Sequence, residues 1–382
     1  MPARAPDDLL VPTDPGLFCP GGGFYVDPWK PVEKAVVTHA HADHAAPGCA
    51  AYLASPGTAA LLRAKFGAGT PVTALGLAER VRLGDLWISL HPAGHILGSA
   101  SVRLEPARGP VWVVTGDYRA TPDPSAAPHC RTCEPYEPVR CDVLVTECTF
   151  GLPIYRWRPD AETFSAINGW WAGNAAEGRT SLLFGWALGK SQRLLEGVDA
   201  GIGPIGVHGA VERFNDAYRA QGVRLPAAPR ATAEYAVALR GRGLVLAPPS
   251  ADRSVWMRKF GEVSTAYATG WMQIRGTRRR RSADRGFALS DHSDWEGLLW
   301  AVRESGAQRV ALTHGYTDPM ARWLGALGLE TWTIPTRWEG EIVETGQGTS
   351  TEPGSGPDAD GEPGTPAGPS ETSPDGAPAG GS

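Results

Sequence analysis

Residues 35–44 decide the fold, and their sequence is Ala35-Val36-Val37-Thr38-His39-Ala40-His41-Ala42-Asp43-His44. The two valines are typical of the end of a buried strand. Beyond the strand, His39 and His41 are two residues apart and can face the same way out of an extended turn. Asp43 and His44 are predicted on the first turn of a following helix, pointing back at the same space. Imidazoles and carboxylates in this spacing are ligands for divalent ions, and the small alanines leave room for two ions, so the stretch predicts a metal site.

Four later segments repeat this arrangement, in which an apolar strand ends in a histidine or an acidic residue. The segments are 111–117, 141–147, 286–292 and 309–314, and their last residues are Asp117, Glu147, His292 and His314. Open α/β sheets form their sites at the carboxyl ends of strands. We therefore expect these side chains to meet in one cleft.

Composition limits the class of protein. A chain of 382 residues with 42% hydrophobic residues can form about two domains with a sizeable core. The net charge of −5 is misleading, because residues 346–382 contain six acidic residues and no lysine or arginine. The remainder is about neutral, which neither requires nor excludes nucleic acid. No signal peptide and no apolar run of about 18 residues is present, and the six cysteines form no disulfide-scaffold pattern, so we expect a soluble cytoplasmic protein without membrane partners.

The order of predicted elements indicates an α/β fold in several parts. Helical spacing covers residues 57–66, and residues 152–272 alternate strands and helices. We expect this middle region to be a separate α/β layer between two halves of a metal-binding domain, residues 1–151 and 273–345. Residues 346–382 are rich in glycine, proline, serine and acidic residues, and they are predicted to be disordered.

Two groups of basic residues are predicted to contact phosphates. Residues 185–191 are one residue too short for a P-loop, which argues against nucleotide hydrolysis. The helix that begins there can still bind a substrate phosphate through Lys190, Ser191 and Arg193. Downstream, Arg275, Arg278 and Arg279 begin a dense basic run ahead of the strand that carries His292. Contact with a phosphate backbone is predicted there, with a solvated charged face as the alternative.

A cysteine cluster leaves two interpretations open. Its members are His129, Cys130, Cys133 and Cys141. A structural zinc site needs four such ligands, so the cluster fits an additional structural zinc ion. Free cysteines in a loop are the alternative.

Taken together, these motifs resemble the metallo-β-lactamase fold with a β-CASP cap, the nuclease branch of that superfamily. The resemblance runs from about Asp27 to Trp338. It rests on seven motifs in order, which contain Asp27, His39-Ala40-His41-Ala42-Asp43-His44, His95, Asp117, Glu147, His292 and His314. It implies an αββα sandwich with an inserted α/β cap domain over residues 152–272. Within the branch, the chain is most similar to bacterial ligase-associated DNA exonucleases, because of residues 150–153, 187–195 and 270–276.

The resemblance implies two divalent ions, zinc or manganese, as cofactors. The first ion would be held by His39, His41 and His95. The second would be held by Asp43, His44 and His314, with Asp117 bridging the two. Two such ions can clamp the attacking and leaving oxygens of a phosphoryl displacement.

The remaining roles also follow from the resemblance. His292 is the expected general acid, which protonates the departing 3′-oxygen. Glu147 accepts a hydrogen bond from His292 and raises its proton affinity. Asp27 is expected to orient a ligand imidazole. Asp43 and Asp117 complete the catalytic set.

The expected function is a metal-dependent exonuclease on single-stranded nucleic acid, acting 5′ to 3′ on DNA in repair, beside a DNA ligase and a helicase. Endonuclease activity stays open. His314 keeps RNA open as well, because RNA-cutting members of the branch usually have histidine at this motif, so a ribonuclease J-type enzyme is the first alternative. A small-molecule hydrolase such as a thioesterase or lactonase is the second, and the cap and His292 argue against it.

Overall fold

Three β-sheets organise the part of the chain that the computed structural model describes, residues 9–122, 131–274 and 283–336. The first sheet has six strands in chain order, antiparallel over the first three and parallel from the third onward. These strands are β1 (Val11–Pro12), β2 (Leu17–Cys19), β3 (Phe24–Val26), β4 (Lys34–Val36), β5 (Ala51–Ala54) and β6 (Val72–Ala74). The histidine-rich stretch follows β4, so this sheet brings it to the edge where that strand ends.

The second sheet has seven strands and combines both strand directions. Its strands are β7 (Arg80–Leu83), β8 (Leu86–Pro92), β9 (Ala100–Pro106), β10 (Trp112–Val114), β11 (Val143–Cys148), β17 (Arg309–Gly315) and β18 (Glu330–Thr333). Their order is β18-β17-β11-β10-β9-β8-β7. The first four of these run parallel, so their carboxyl ends lie along one edge. Every residue of β11 is buried, as is usual for a parallel strand covered on both faces.

The first two sheets pack face to face around one core. Val26 and Val36 of the first sheet share a buried cluster with Ile88, Val114 and Val145 of the second. Because side chains alternate between the two faces of a strand, the other face of each sheet also needs a cover.

Helices supply that cover. Their ranges are α1 (Pro56–Phe66), α6 (Trp295–Ser305) and α7 (Thr317–Ala326). Leu61 and Leu62 of α1 pack on the outer face of the first sheet, and α6 and α7 pack on the outer face of the second. The Asp294 carboxylate accepts the Gly297 N–H and caps the start of α6. The layers are therefore helix, sheet, sheet and helix.

The third sheet is entirely parallel and carries its own helices. Its strands are β12 (Thr180–Phe184), β13 (Ile205–Val207), β14 (Leu244–Ala247), β15 (Val263–Ala268) and β16 (Arg285–Phe287), in the order β13-β14-β12-β15-β16. Its helices are α2 (Asp160–Ala176), α3 (Lys190–Gly197), α4 (Gly209–Ala220) and α5 (Ala233–Leu239), and short 3₁₀ helices cover Pro249–Ala251, Val255–Phe260 and Gly270–Gln273. Phe214 and Tyr218 of α4 pack into the cluster on the outer face of the first sheet. The third sheet and its helices thus contact the first sheet through a shared core.

This architecture confirms the predicted α/β fold class and corrects two local predictions. Asp43 and His44 lie in a single turn rather than at the start of a helix. The backbone N–H groups of His44 and Ala45 both donate to His41 O, but Pro47 has no N–H to continue the pattern. The predicted strand over 286–292 is also shorter, because β16 ends at Phe287.

Among the described residues, no helix has the length and apolar character needed to cross a membrane. The tail at 346–382, predicted to be disordered, lies outside the described residues.

Candidate metal centre

Histidines and aspartates from separate parts of the chain converge at the carboxyl ends of β4, β10 and β17. The first group offers one donor atom per residue within 4.8 Å of one another, from His39, His41, His95 and Asp117. A second group with the same spacing consists of Asp43, His44 and His314. Strand ends and turns supply all seven, as expected for a site at the edge of parallel strands.

Asp117 faces both groups. Its Oδ2 lies 3.5 Å from His39 Nε2 and 3.8 Å from His95 Nε2, whereas its Oδ1 lies 3.4 Å from His44 Nε2. Asp43 Oδ2 lies 3.8 Å from His44 Nε2. One carboxylate therefore stands between the two donor groups, in the position of a bridging ligand.

Asp27 orients two of the imidazoles from outside the cluster. Its carboxylate accepts hydrogen bonds from Thr38 N at 2.8 Å, Thr38 Oγ1 at 2.6 Å and His44 Nδ1 at 2.8 Å. Because the Thr38 hydroxyl donates to Asp27, it accepts from His39 Nδ1, 3.1 Å away. In both His39 and His44, Nδ1 is thus the outer, hydrogen-bonded nitrogen and Nε2 is turned inward.

The other three histidines also have one ring nitrogen hydrogen-bonded to an oxygen outside the cluster and the other nitrogen turned inward. His95 Nδ1 donates to Asp291 O at 2.9 Å, and His41 Nε2 donates to Leu188 O at 3.2 Å. His314 Nδ1 lies 2.9 Å from the Thr313 hydroxyl, which itself donates to Thr146 O. The inward atoms His95 Nε2 and His41 Nδ1 are only 3.1 Å apart. Two lone pairs that face each other at this distance repel unless a cation lies between them.

Three of the inward atoms also have no hydrogen-bond partner among the described residues. Among the described residues, His39 Nε2, His44 Nε2 and Asp117 Oδ1 are buried and make no hydrogen bond. Buried polar atoms are normally satisfied, so orphaned donor atoms gathered in one place fit a metal ion. The donor set of imidazole and carboxylate suits zinc or manganese.

The electrostatics favour a positive charge in the cluster. Burial lowers the pKa of His39 and the pKa of His95 well below the ordinary histidine value, so both imidazoles stay neutral and able to bind a cation. Burial acts in the same direction on His44, but the surrounding carboxylates, led by Asp117, hold the pKa of His44 well above that value. Burial acts to raise the pKa of Asp117, yet the neighbouring charge of His44 keeps it well below its usual range.

Backbone conformation at the site is unusual. Asp27 and His314 adopt positive φ angles of 45° and 50°, which residues other than glycine seldom do. Gly116 precedes Asp117 with a φ of +57°, and a Cβ there would lie 2.3 Å from Thr38 Oγ1. Glycine is therefore required for the turn that carries Asp117 to approach Thr38.

His292 and Glu147 form a pair next to the metal ligands. His292 Nδ1 lies 2.9 and 2.8 Å from the two oxygens of Glu147, which is buried and also accepts the Tyr118 N–H. Glu147 and His292 each have one donor atom within 4.8 Å of Asp117. The carboxylate fixes Nδ1 as the protonated nitrogen, and His292 Nε2 is the atom that can exchange a proton with a substrate.

The predicted phosphate-binding residues of α3 lie elsewhere than the prediction requires. Lys190 and Arg193 are only 1% and 4% exposed, and they form ion pairs with Asp291 at 2.9 and 2.8 Å. Ser191 is buried, and its hydroxyl donates to Trp186 O. These donors are engaged inside the protein, which corrects the prediction that they bind a phosphate.

That buried network holds the backbone around His292. Arg193 and Arg119 both donate to Ser290 O, and both also pair with Asp160. Asp291, whose carbonyl orients His95, lies in the same segment. No role was predicted from the sequence for Arg119, Asp160 or Asp291. The only local indication of a role near the site was that Asp291 directly precedes His292.

Five predicted site residues lie outside the described residues. These are His129 and Cys130 of the cysteine cluster and the basic residues Arg275, Arg278 and Arg279. The other two members of the cysteine cluster, Cys133 and Cys141, are half-buried, and within the described part of the chain no disulfide joins them to each other. Burial raises the pKa of Cys141 to about 12, which disfavours its thiolate in the absence of a metal ion.

Comparison with known proteins gives two partial sequence relatives. No protein-family model matches the chain. A protein of Opitutus terrae named "Probable DNA ligase" is 33% identical over 320 residues, which make up 84% of this chain and 30% of that protein. "Endoribonuclease ysh-1" of Neurospora crassa is 33% identical over 113 residues, 30% of this chain and 12% of that one. The chain therefore spans less than a third of the length of the curated relatives it matches.

A solved structure shares the fold. The crystal structure of a protein of unknown function from Enterococcus faecalis V583 matches with a TM-score of 0.54 over 80% of each chain, at 13% sequence identity. At this identity the likeness concerns the fold alone. The described residues thus bring together histidines and aspartates that could hold a metal ion, within an α/β architecture known from a solved protein.

Proposed function

We propose that this protein is a two-metal-dependent nuclease that hydrolyses phosphodiester bonds of single-stranded nucleic acid, acting as a 5′-to-3′ DNA exonuclease in DNA repair. The observation that carries the proposal is the orientation of five imidazoles, each of which has its outer nitrogen hydrogen-bonded to an oxygen and its inner nitrogen turned toward one space. A surface patch of histidines has no reason to be oriented in this way.

The architecture supports a metallo-β-lactamase sandwich with a β-CASP cap. Two facing sheets with helices on their outer faces correspond to a metal-binding domain built from residues 1–151 and 273–345. The parallel third sheet corresponds to the cap at 152–272, and it also includes β16. A cap over the edge that carries the ligands would leave a narrow channel for a single strand.

Two divalent ions are proposed on separate ligand groups. His39, His41 and His95 would hold one ion. Asp43, His44 and His314 would hold the other, and Asp117 stands between them. When bound, such ions neutralise charge on a phosphate and lower the pKa of a water molecule.

The protein's own residues then have distinct tasks. His292 protonates the departing oxygen through Nε2, because Glu147 holds the other ring nitrogen. Asp27 keeps His39 and His44 in the tautomer that a metal ion needs. The burial of Asp117 and His95 excludes bulk water from the side of the site opposite the substrate.

The names of the relatives support a nucleic-acid substrate and, as a proposal, a DNA ligase as a partner in DNA repair. A helicase as a further partner is proposed from the family resemblance alone. RNA is the second candidate substrate. It is favoured by the position of His314 within the second ligand group and by the partial similarity to an endoribonuclease.

The proposal is tested by degradation of end-labelled single-stranded DNA and RNA, with and without a 5′-phosphate, in zinc, manganese and magnesium. We expect metal-dependent products that shorten from the 5′ end. His292→Ala should abolish turnover while its metal content stays at the wild-type value, because His292 donates a proton and binds no ion. His208→Ala, a histidine at the start of α4, serves as the matched control and should keep both. Loss of metal from His292→Ala would assign His292 as a ligand and contradict the proposed roles.

A further inference from the structure

A buried aromatic cluster lies beside the candidate metal centre. Phe150, Tyr155 and Trp271 are almost fully buried, and the ring centroids of Tyr155 and Trp271 lie 4.8 and 4.7 Å from that of Phe150. Phe150 also lies 6.0 Å from the ring of His292. Because these three rings pack on one another, they form a rigid base with little freedom to move.

Two further rings lie on this base and are only half-buried. Trp157 contacts Phe150 at a centroid distance of 4.8 Å, and Tyr316 contacts Tyr155 at 6.0 Å. Phe150, Tyr155 and Trp271 already fill the core of this cluster, so Trp157 and Tyr316 are not needed to fill it. The outer rings therefore present aromatic surface to solvent from a fixed position.

Both outer rings are tied to catalytic or metal-binding residues. The Trp157 indole N–H donates to His292 O at 2.9 Å. Tyr316 lies two residues after His314, and its backbone N–H donates to Cys148 O, next to Glu147. Any ligand that stacks on these rings is consequently held close to the proposed general acid and the second ligand group.

The rim of the surface is apolar and basic. Ile154 is 57% exposed, and the side chains of Arg156 and Arg158 are 58% and 79% exposed. These arginines pair with Glu296 and Glu162 at the surface, where such ion pairs contribute little and exchange readily for other anions. Guanidinium groups beside exposed rings are the combination that binds a strand through its phosphates and its bases.

We infer that Trp157 and Tyr316 form a stacking site for a nucleobase of the strand whose phosphate lies at the metal centre. The inference rests on the proposed function and narrows its substrate to strands with exposed bases. In a duplex each base is already stacked and paired, so only an unpaired base offers its face to the rings. The aromatic surface thus selects single strands by a contact that tolerates any base.

The test compares two strands of equal length and charge, a fluorescein-labelled oligothymidine and an abasic oligomer, both with uncleavable phosphorothioate linkages. Binding to the full-length metal-loaded protein is followed by fluorescence anisotropy. We expect the wild type to prefer the thymidine strand. Trp157→Ala and Tyr316→Ala should each bind that strand about tenfold more weakly and leave abasic binding unchanged, since stacking contributes on the order of tenfold per base. Trp157→Phe keeps a ring and should retain most of the preference.

Trp87→Ala is the matched control. Trp87 is 43% exposed with Arg80 over its ring, and it lies at the opposite end of β8 from His91. Trp87→Ala should therefore bind both strands like the wild type. Equal affinity of the wild type for both strands overturns the inference. An equal loss of affinity for both strands in Trp157→Ala also overturns it. A separate cleavage assay keeps the two proposals apart. A wild type that prefers bases but cleaves neither ordinary DNA nor RNA leaves the stacking site standing and refutes the nuclease.

Discussion

Replacing Asp27 by asparagine tests whether one carboxylate sets the orientation of two metal ligands. Asp27 accepts three hydrogen bonds, from Thr38 N, Thr38 Oγ1 and His44 Nδ1. Asparagine keeps the shape but has one acceptor oxygen, and its amide would oppose the two donors that now reach Oδ2. We expect metal affinity to fall about 10- to 100-fold, the usual effect of losing a partner that orients a ligand. That loss corresponds to about 1.4–2.7 kcal/mol of binding free energy.

The metal-free protein should lose stability as well, because a buried donor without an acceptor costs about 1–3 kcal/mol. Affinity is measured by competition with a fluorescent zinc chelator, and stability by urea unfolding of the metal-free protein. Asp14→Asn is the matched control, since Asp14 is 74% exposed and pairs with Lys30 at the surface. If Asp27→Asn binds zinc as tightly as Asp14→Asn does, Asp27 does not orient the ligands.

Three further outcomes follow from the same geometry. Lys190→Met leaves the buried Asp291 with one cation fewer, so the free energy of unfolding measured in urea should fall by about 3 kcal/mol. Lys30→Met at the surface should change that free energy little. Equal effects of the two variants would show that the buried pair is not coupled to folding. Gly116→Ala places a methyl group 2.3 Å from Thr38 Oγ1 and should reduce zinc content. Gly23→Ala has a similar positive φ of +65°, with nothing among the described residues within 4 Å of the added methyl group, and should not; intact zinc in Gly116→Ala would contradict the close approach. In the metal-free protein, burial lowers the folded-state pKa of His39 and of His95 below 6.5, so these histidines take up protons only on unfolding and stability should fall as pH drops below about 6.5. The raised pKa of His44 has the opposite effect on the pH dependence. Above pH 6.5 the folded state retains a proton on His44 that the unfolded state loses, so stability should fall as pH rises above 6.5. Urea unfolding across pH checks this, and a stability that rises steadily from pH 5 to 8 would contradict the opposite shifts.

The sequence was most informative where the chemistry is local. The spacing of His39, His41, Asp43 and His44 identifies a metal site because four ligands fall within six residues. Asp117 and Glu147 could be found because parallel strands that end at one edge must bring their last residues together. The structure brings these residues to within a few ångströms of one another.

The partners of α3 could not be predicted, because they depend on tertiary packing. Lys190 and Arg193 meet Asp291 from about one hundred residues away. The local pattern of glycine, lysine and serine gave no sign that the helix start would be buried against a carboxylate. Asp43 and His44 show the converse error. The sequence predicts them on the first turn of a helix, but Pro47 limits the helical hydrogen bonding to one turn.

The hydrogen bond from His41 to the carbonyl of Leu188 has a consequence for how the protein is assembled. Leu188 belongs to the layer formed by the third sheet and its helices, immediately before α3, whereas His41 lies in the turn after β4 of the first sheet. Gly189 makes the approach possible, since a Cβ there would lie 2.2 Å from Ile96 Cγ2. Ion affinity and the docking of that layer are therefore reciprocally linked, so that whatever strengthens one must strengthen the other to the same extent. A chimera that exchanges the layer for that of another protein would inherit a different ion affinity with it, even with every ligand unchanged.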